Sequence, residues 1–230
     1  MRRVFFILTI MVMFFATGCR KDLHDRCEYY NGGNSTIGII NDHEWIDLNL
    51  PSGTLWATCN VGANKPEAYG DYFAWGEIET KSVYNWDTYA YYSDSFLTKY
   101  TGLDGLKTLQ SSDDVATQEW GSGWRMPTKE QWVELYNNTA HEWTTLNGVN
   151  GRMFMSCNGG KLFFPAAGDY WAGDFNNAGS YGYYWSASLY KDVDNGLAGH
   201  IGSYLGNCGL SNYYRFLGFS VRPVVYSPQQ

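Results

Sequence analysis

The clearest helical pattern in this chain lies near its centre, and the scarcity of others restricts the folds open to it. In GWRMPTKEQWVELYNN, residues 123–138, Thr128 is followed three residues later by Gln131. This is the spacing of a capping box, in which each side chain satisfies the other's backbone N–H. Trp132 and Leu135 fall on one face with Tyr136 beside them, while Lys129, Glu130 and Glu134 face water. Pro127 restricts the entry and Asn137–Asn138 permits the exit. A shorter helix is expected over 113–120, started by Ser112 or Asp113 and stopped by Gly121.

The rest reads as short strands and long loops. HEWIDLNLPSGTLWATCNVGA, from His43, alternates through Trp45, Asp47 and Leu48, turns at Pro51-Ser52-Gly53 and resumes over 55–61, a hairpin pattern. GDYFAWGE at 70–77 adds a strand or tight loop. Residues 79–111 lack periodicity and read as a tyrosine-rich surface excursion, long enough to hold a short helix or a functional loop. Further strands are expected over 152–156, 161–164, 182–189 and 218–226, the last interrupted by Pro223 and so suited to an edge or bulge. Few helices and many short strands predict a compact α+β domain around an antiparallel sheet.

The N-terminus sets a different constraint. MRRVFFILTIMVMFFATGC has two arginines, an apolar run and a small-residue exit, the layout of an export signal. Its apolar run, 4–16, is shorter than the ~20 residues a spanning helix needs. Ala16-Thr17-Gly18-Cys19 resembles a bacterial lipobox, which implies a signal peptide over 1–18 and lipidation at Cys19. Residues 19–40 are then a lipidated, Gly/Asn/Ser-containing tether, 41–227 the folded domain and 228–230 a tail. Without Arg2 and Arg3 the chain keeps 14 basic against 23 acidic side chains, a net −9 with no basic cluster, which argues against nucleic acid as a partner. Four cysteines remain, Cys27, Cys59, Cys157 and Cys208; two disulfides in three possible pairings, or buried thiols at Cys59 and Cys157, are both open.

The 10 Trp, 19 Tyr and 12 Phe residues fill either a core or a binding surface, and packing is the default. The segment 168–185, GDYWAGDFNNAGSYGYYW, mixes flat rings with amides and carboxylates, as sugar recognition requires. Asp169, Tyr170, Trp171, Asp174, Asn176 and Asn177 form the local candidate patch, extended by Tyr181, Tyr183 and Tyr184 if they project outward. Asp192, Asp194 and Asn195 in DVDNG offer oxygen ligands for a structural calcium, or ordinary turn chemistry; no other cofactor is implied. His43, His141 and His200 have no accompanying nucleophile turn. Glu77 and Asp169 are the carboxylate pair to inspect for hydrolysis, with strand-end capping as their plainer role. Arg125 and Arg222 lie among packing residues and read as structural clamps.

Six segments in order, IDLNLPSGTLWATCNVGA, GDYFAWGE, GWRMPTKEQWVEL, LFFPAAGDY, YYWSAS and GFSVRPV, resemble the Fibrobacter succinogenes major paralogous domain family of Bacteroidota envelope lipoproteins. They span residues 43–225; Asn49 stands where the family pattern has glycine. The layout is more distantly similar to the C-type-lectin-like fold of formylglycine-generating, sulfatase-modifying domains. That resemblance implies structural roles for Trp124, Arg125, Pro127, Thr128, Gln131 and Trp132, and for Gly218, Phe219, Arg222 and Pro223. The paired-cysteine copper centre of those enzymes has no counterpart in sequence, since Cys208 stands apart from the other cysteines. The resemblance implies an envelope protein held by its N-terminal lipid at the outer membrane, and surface-exposed. The resulting expectation is a non-enzymatic module whose partner is a glycan, a glycoprotein or another envelope protein. A structural scaffold is the alternative, and a hydrolase or sulfatase-modifying-like enzyme the third reading.

Overall fold

The computed structural model describes residues 34–189 and 196–226. The leader, Cys19, Cys27, the calcium candidates Asp192, Asp194 and Asn195, and the tail lie outside the described residues. The strands are β1 (Ile37–Ile40), β2 (His43–Asp47), β3 (Thr54–Ala57), β4 (Tyr92–Ser93), β5 (Phe96–Leu97), β6 (Trp124–Arg125), β7 (Ala140–Leu146) and β8 (Val149–Met155). They continue as β9 (Lys161–Pro165), β10 (Asp169–Trp171), β11 (Asp174–Asn176), β12 (Tyr181–Leu189), β13 (Leu197–Tyr204), β14 (Asn207–Tyr214) and β15 (Val224–Tyr226). Among the described residues two α-helices, α1 (Val115–Trp120) and α2 (Lys129–Asn138), complete a mixed α+β fold. The largest sheet has the order β1-β2-β3-β15-β6; β7-β8-β9 and β12-β13-β14 are three-stranded meanders, and β4-β5 and β10-β11 are hairpins. Every pairing between these strands is antiparallel.

Local chemistry fixes both helices. Thr128 accepts from the Gln131 N–H at 3.3 Å, and Gln131 accepts from the Thr128 N–H at 2.9 Å, so the capping box forms as its spacing predicts. Trp132 and Leu135 are buried below it. The short helix α1 starts two residues later than the expected Asp113: Asp114 accepts from Thr117 N–H at 3.2 Å and also from Met126 N–H at 2.8 Å, tying the helix to the end of β6. Burial pushes this carboxyl up to about 6, against the backbone donors that favour its charge. Gly121, at φ 90°, stops the helix.

Two clusters of aromatics make the core. Trp75, Tyr84, Tyr100, Trp124, Trp185 and Phe219 lie in one; Trp56, Trp132, Phe154, Phe164 and Tyr184 lie in the other. Buried indoles need an acceptor, and four of them find it in remote backbone, whereas the Trp56 Nε1 is buried without one. Trp75 donates to Ser186 O at 2.8 Å, Trp185 to Phe73 O at 2.8 Å, Trp132 to Trp185 O at 3.3 Å and Trp124 to Ile40 O at 3.1 Å. Arg222 is fully buried and acts the same way, donating to Asn60 Oδ1 at 2.8 Å and to the carbonyls of Ala57, Thr58 and Phe163 at 3.2, 2.9 and 3.0 Å. Its guanidinium lies over the Phe164 ring at 4.6 Å, and burial lowers its pKa to about 10. This joins the β3 exit, β9 and the C-terminal segment, a clamp of the kind expected of a buried arginine.

Several expectations change. The folded body begins within the segment read as tether, because Ile37–Ile40 pairs with β2 and Ser35 N–H donates to Asn158 O at 2.9 Å. The excursion over 79–111 stays mostly at the surface, as expected, but is anchored in the core by the buried Tyr84, Tyr89 and Tyr100, and Trp86–Thr88 and Ser111–Asp113 form 3-10 turns around the β4-β5 hairpin. The last strand shortens to Val224–Tyr226, since Pro223 has no N–H to give, and 218–220 make only isolated bridges to Tyr170, Phe73 and Tyr184. Cys157 is disulfide-bonded whereas Cys59 and Cys208 are free thiols, so two disulfides among the four are not formed. Burial raises both free thiols, and Arg222 and Arg152 respectively oppose the rise.

Replacing Arg222 with Met keeps the bulk but leaves three carbonyls and an amide oxygen without donors. At ~1–3 kcal/mol per orphaned buried acceptor, the variant should lose at least about 3 kcal/mol of stability. Chemical denaturation measures it; a loss under about 1 kcal/mol would remove Arg222 as a clamp.

Candidate functional site

The β10-β11 hairpin stands over the open face of the β12-β13-β14 sheet, and the space between them is a cavity of about 410 Å³. Its size falls in the range of small-ligand sites. Alternation along the hairpin decides what it shows. Asp169 pairs with Asn176 and Trp171 with Asp174, and all four line the cavity; Tyr170 pairs with Phe175 on the other face. Those two rings stack at 4.9 Å and pack on Tyr72 at 5.0 and 5.5 Å, which seats the hairpin on the body.

Backbone contacts hold it there. Tyr170 and Gly218 exchange N–H···O bonds of 2.9 and 3.0 Å, and Ala172 N–H donates to Tyr84 O at 2.9 Å. Ala172 and Gly173 make the two-residue turn with φ 52° and 92°, both left-handed. Gly168 is required at φ 70°, because a Cβ there would lie 2.2 Å from Asn176 O. Asn177, also left-handed at φ 61°, donates from Nδ2 to Asp169 Oδ1 at 2.7 Å.

Opposite the hairpin, Tyr183, Tyr213 and Phe219 form the aromatic wall. Tyr183 stacks on Phe219 at 5.0 Å, and His200 lies beneath, 5.8 Å from Tyr183, 5.3 Å from Phe219 and 6.1 Å from Tyr213. Burial lowers the His200 pKa to about 4, so its imidazole is neutral at physiological pH. Asp169 is buried and its carboxyl is raised by desolvation, with the Asn177 amide opposing. The site therefore combines one desolvated carboxylate, an exposed carboxylate at Asp174, two amides and flat rings, a set that complements hydroxyl groups.

Of the residues singled out in the sequence, Asp169, Trp171, Asp174, Asn176, Asn177 and Tyr183 come together here. Trp171 is 51 % exposed, a large indole left in solvent at the cavity mouth. Tyr181 sits outside the lining, stacked on Tyr183 at 5.9 Å and 5.2 Å from Tyr204. Tyr170 faces the body, as described. Tyr184 is on the opposite face, 1 % exposed, donating its hydroxyl to Pro165 O at 2.6 Å, and leaves the candidate set. Sequence reasoning missed Tyr213 altogether and gave Phe219 only a structural role. Period-2 alternation along 181–184 was the available signal for separating Tyr183 from Tyr184.

The catalytic alternatives are not assembled by these elements. Glu77 is absent from the cavity lining; it pairs with Lys81 Nζ at 2.6 Å and accepts from Ala90 N–H at 2.7 Å. His43 stacks flat on Trp120 at 3.7 Å, and His141 packs between Tyr136 and Phe154. Among the described residues no group of three or more His, Cys, Asp or Glu side chains is placed to hold a metal ion. No family model, curated protein or solved structure matches the chain.

A carboxylate kept in a desolvated cavity costs stability, so Asp169→Asn has a signed consequence. Because its folded pKa is raised, the stability linked to Asp169 is present below the unfolded value and lost as pH rises through the folded one. Asp169→Asn should melt higher than wild type at pH 8, by roughly 2–4 °C for each kcal/mol relieved, and no higher at pH 3. Thermal melts at the two pH values check this; a variant less stable at pH 8 would assign Asp169 to structure instead.

Proposed function

We propose that this protein recognises neutral glycans, free or on glycoproteins, through the cavity between the β10-β11 hairpin and the sheet, without catalysing a reaction. The observation that carries the reading is the convergence of Asp169, Asn176 and Asn177 with the exposed Trp171 ring and the Tyr183–Phe219 wall. Such a mixture orients hydroxyls with amides and carboxylates and covers the apolar face of a pyranose with an aromatic ring. Among the described residues Cys208 and His200 are buried, and His43 and His141 pack against aromatic rings, which is why the enzymatic readings rank below recognition.

The wider setting is also proposed. Cys19 carries the lipid, the segment before residue 34 gives the domain reach, and the protein works at the outer membrane surface. The six ordered segments support membership of the Fibrobacter succinogenes major paralogous domain family, and the mixed α+β architecture accommodates a C-type-lectin-like description. A scaffold or protein-interaction role is the second reading. It is favoured by the apolar concavity of about 700 Å³ around Trp86, Phe96, Leu97 and Leu103, where Phe96 and Leu103 are fully in solvent or nearly so.

A glycan and glycoprotein array, run with calcium and with chelator, tests the proposal. The expected result is a set of neutral-glycan hits that Trp171→Ala weakens at least tenfold while leaving the melting temperature unchanged. Hits that survive Trp171→Ala, or no hits with folded protein, would turn the assignment to the scaffold reading.

A further inference from the structure

We infer that the open face of the β12-β13-β14 sheet carries a trench, floored by Gly202 and Gly209, that continues the cavity and takes a linear neutral oligosaccharide. The inference rests on the glycan reading above and extends it from one sugar unit to a chain.

Register places the trench. Residues directly opposite one another in an antiparallel pair share a face. Tyr183 is opposite Gly202, and Gly202 is opposite Gly209, so a row starting at the cavity wall runs across two strands with no side chain on it. The flanking row on one side is Tyr181, Tyr204 and Asn207; on the other it is Trp185, His200 and Ser211. Tyr181, Tyr204, Asn207 and Ser211 are exposed, whereas Trp185 and His200 at the other end of this face, and Ser203, Cys208 and Ile201 from the alternate rows, are buried. The glycine row therefore lies at the border of the core on this face, half-buried, with the exposed Tyr181, Tyr204 and Asn207 along one flank. It crosses two strand spacings, roughly 10 Å, room for further pyranose rings beyond the one in the cavity.

Neither packing nor backbone geometry demands these glycines. A Cβ on Gly209 meets nothing within 4 Å, and one on Gly202 meets only His200, its Nε2 at 3.5 Å. Neither residue has a positive φ. Glycine weakens a strand, and its use inside one marks the close approach of something else to the backbone. The trench walls supply what a sugar chain needs: the Tyr181 and Tyr204 rings on one side, and the Asn207 amide and Ser211 hydroxyl as polar ends. Asp169 and Asp174 at the cavity end set the charge class, since an anionic sugar would meet two carboxylates there.

The turn that carries Tyr204 is braced from behind. Arg152, buried under the sheet, donates to Ser203 Oγ at 3.1 Å and to the carbonyls of Tyr204 and Asn207 at 2.5 and 2.9 Å. The trench wall is thus held in place before any ligand arrives, which lowers the ordering cost of binding.

The test uses the purified protein with mono- to hexasaccharides of β-1,4-glucan, β-1,4-mannan and α-1,4-glucan, titrated by NMR. In wild type, affinity for at least one series should rise tenfold or more from mono- to tetrasaccharide. Gly209→Val, whose side chain enters open space and suits a strand, should erase that gain while monosaccharide affinity and melting temperature hold. Length-independent binding in wild type, or a gain that survives Gly209→Val, would overturn the trench; if Asp169→Asn still abolished monosaccharide binding, the cavity would stand without it. Failure of every length in every series would overturn the trench together with the glycan reading.

Discussion

Trp185 is the junction on which the rest of the molecule depends. Its indole donates to Phe73 O, its carbonyl accepts from the Trp132 indole of α2, and its N–H donates to Ser220 O at 3.1 Å. Its ring stacks on Phe219 at 4.3 Å. One residue thereby joins the central helix, the 70–77 segment, the C-terminal segment and β12. Tyr183, two residues earlier on the same strand face, inherits its position from that junction. The aromatic wall of the cavity is in this sense a direct extension of the core, and its rings need little further ordering on binding.

Polar groups are arranged by a complementary logic. The buried arginines spend their donors on backbone carbonyls: Arg222 at the β3 exit and β9, Arg152 at the β13-β14 turn, and Arg215 at the carbonyls of Lys99 and Tyr100. These bonds fix loop backbone that lacks regular pairing, the need a loop-rich fold has most. Asp169 differs. It is desolvated at the rim of an open cavity and held there by one amide, a costly arrangement of the kind that collects at functional sites.

How far the fold could be read from sequence depended on how local each signal was. The capping box of Thr128 and Gln131, the stop at Gly121 and the β2-β3 hairpin are decided within a few residues, and they appear where the spacing places them. β13 and β14 were invisible because Gly199, Gly202 and Gly209 remove strand propensity, and only cross-strand register gives them meaning. The β10-β11 turn was hidden for a related reason: Ala172 takes a left-handed conformation that its residue type does not favour, held by its bond to Tyr84 O. Six of the nine residues proposed for a surface patch line one cavity because they are near in sequence. Tyr213 comes from a strand whose partner was unseen, so no local reading could have added it. Cys157 joins the same lesson, since disulfide pairing is set by three-dimensional approach rather than spacing.

The decisive measurement is a two-dimensional NMR titration of the isotope-labelled protein with a neutral hexose oligosaccharide, following the Trp171 indole N–H and the side-chain amides of Asn176 and Asn177. If the cavity is the recognition site, these three resonances shift together and saturably, while the indole signals of buried Trp56, Trp75 and Trp132 stay fixed. Shifts confined to Trp86 and its surroundings, or no shift at millimolar sugar, would place the function of this surface elsewhere and leave the cavity as a by-product of how the hairpin is seated.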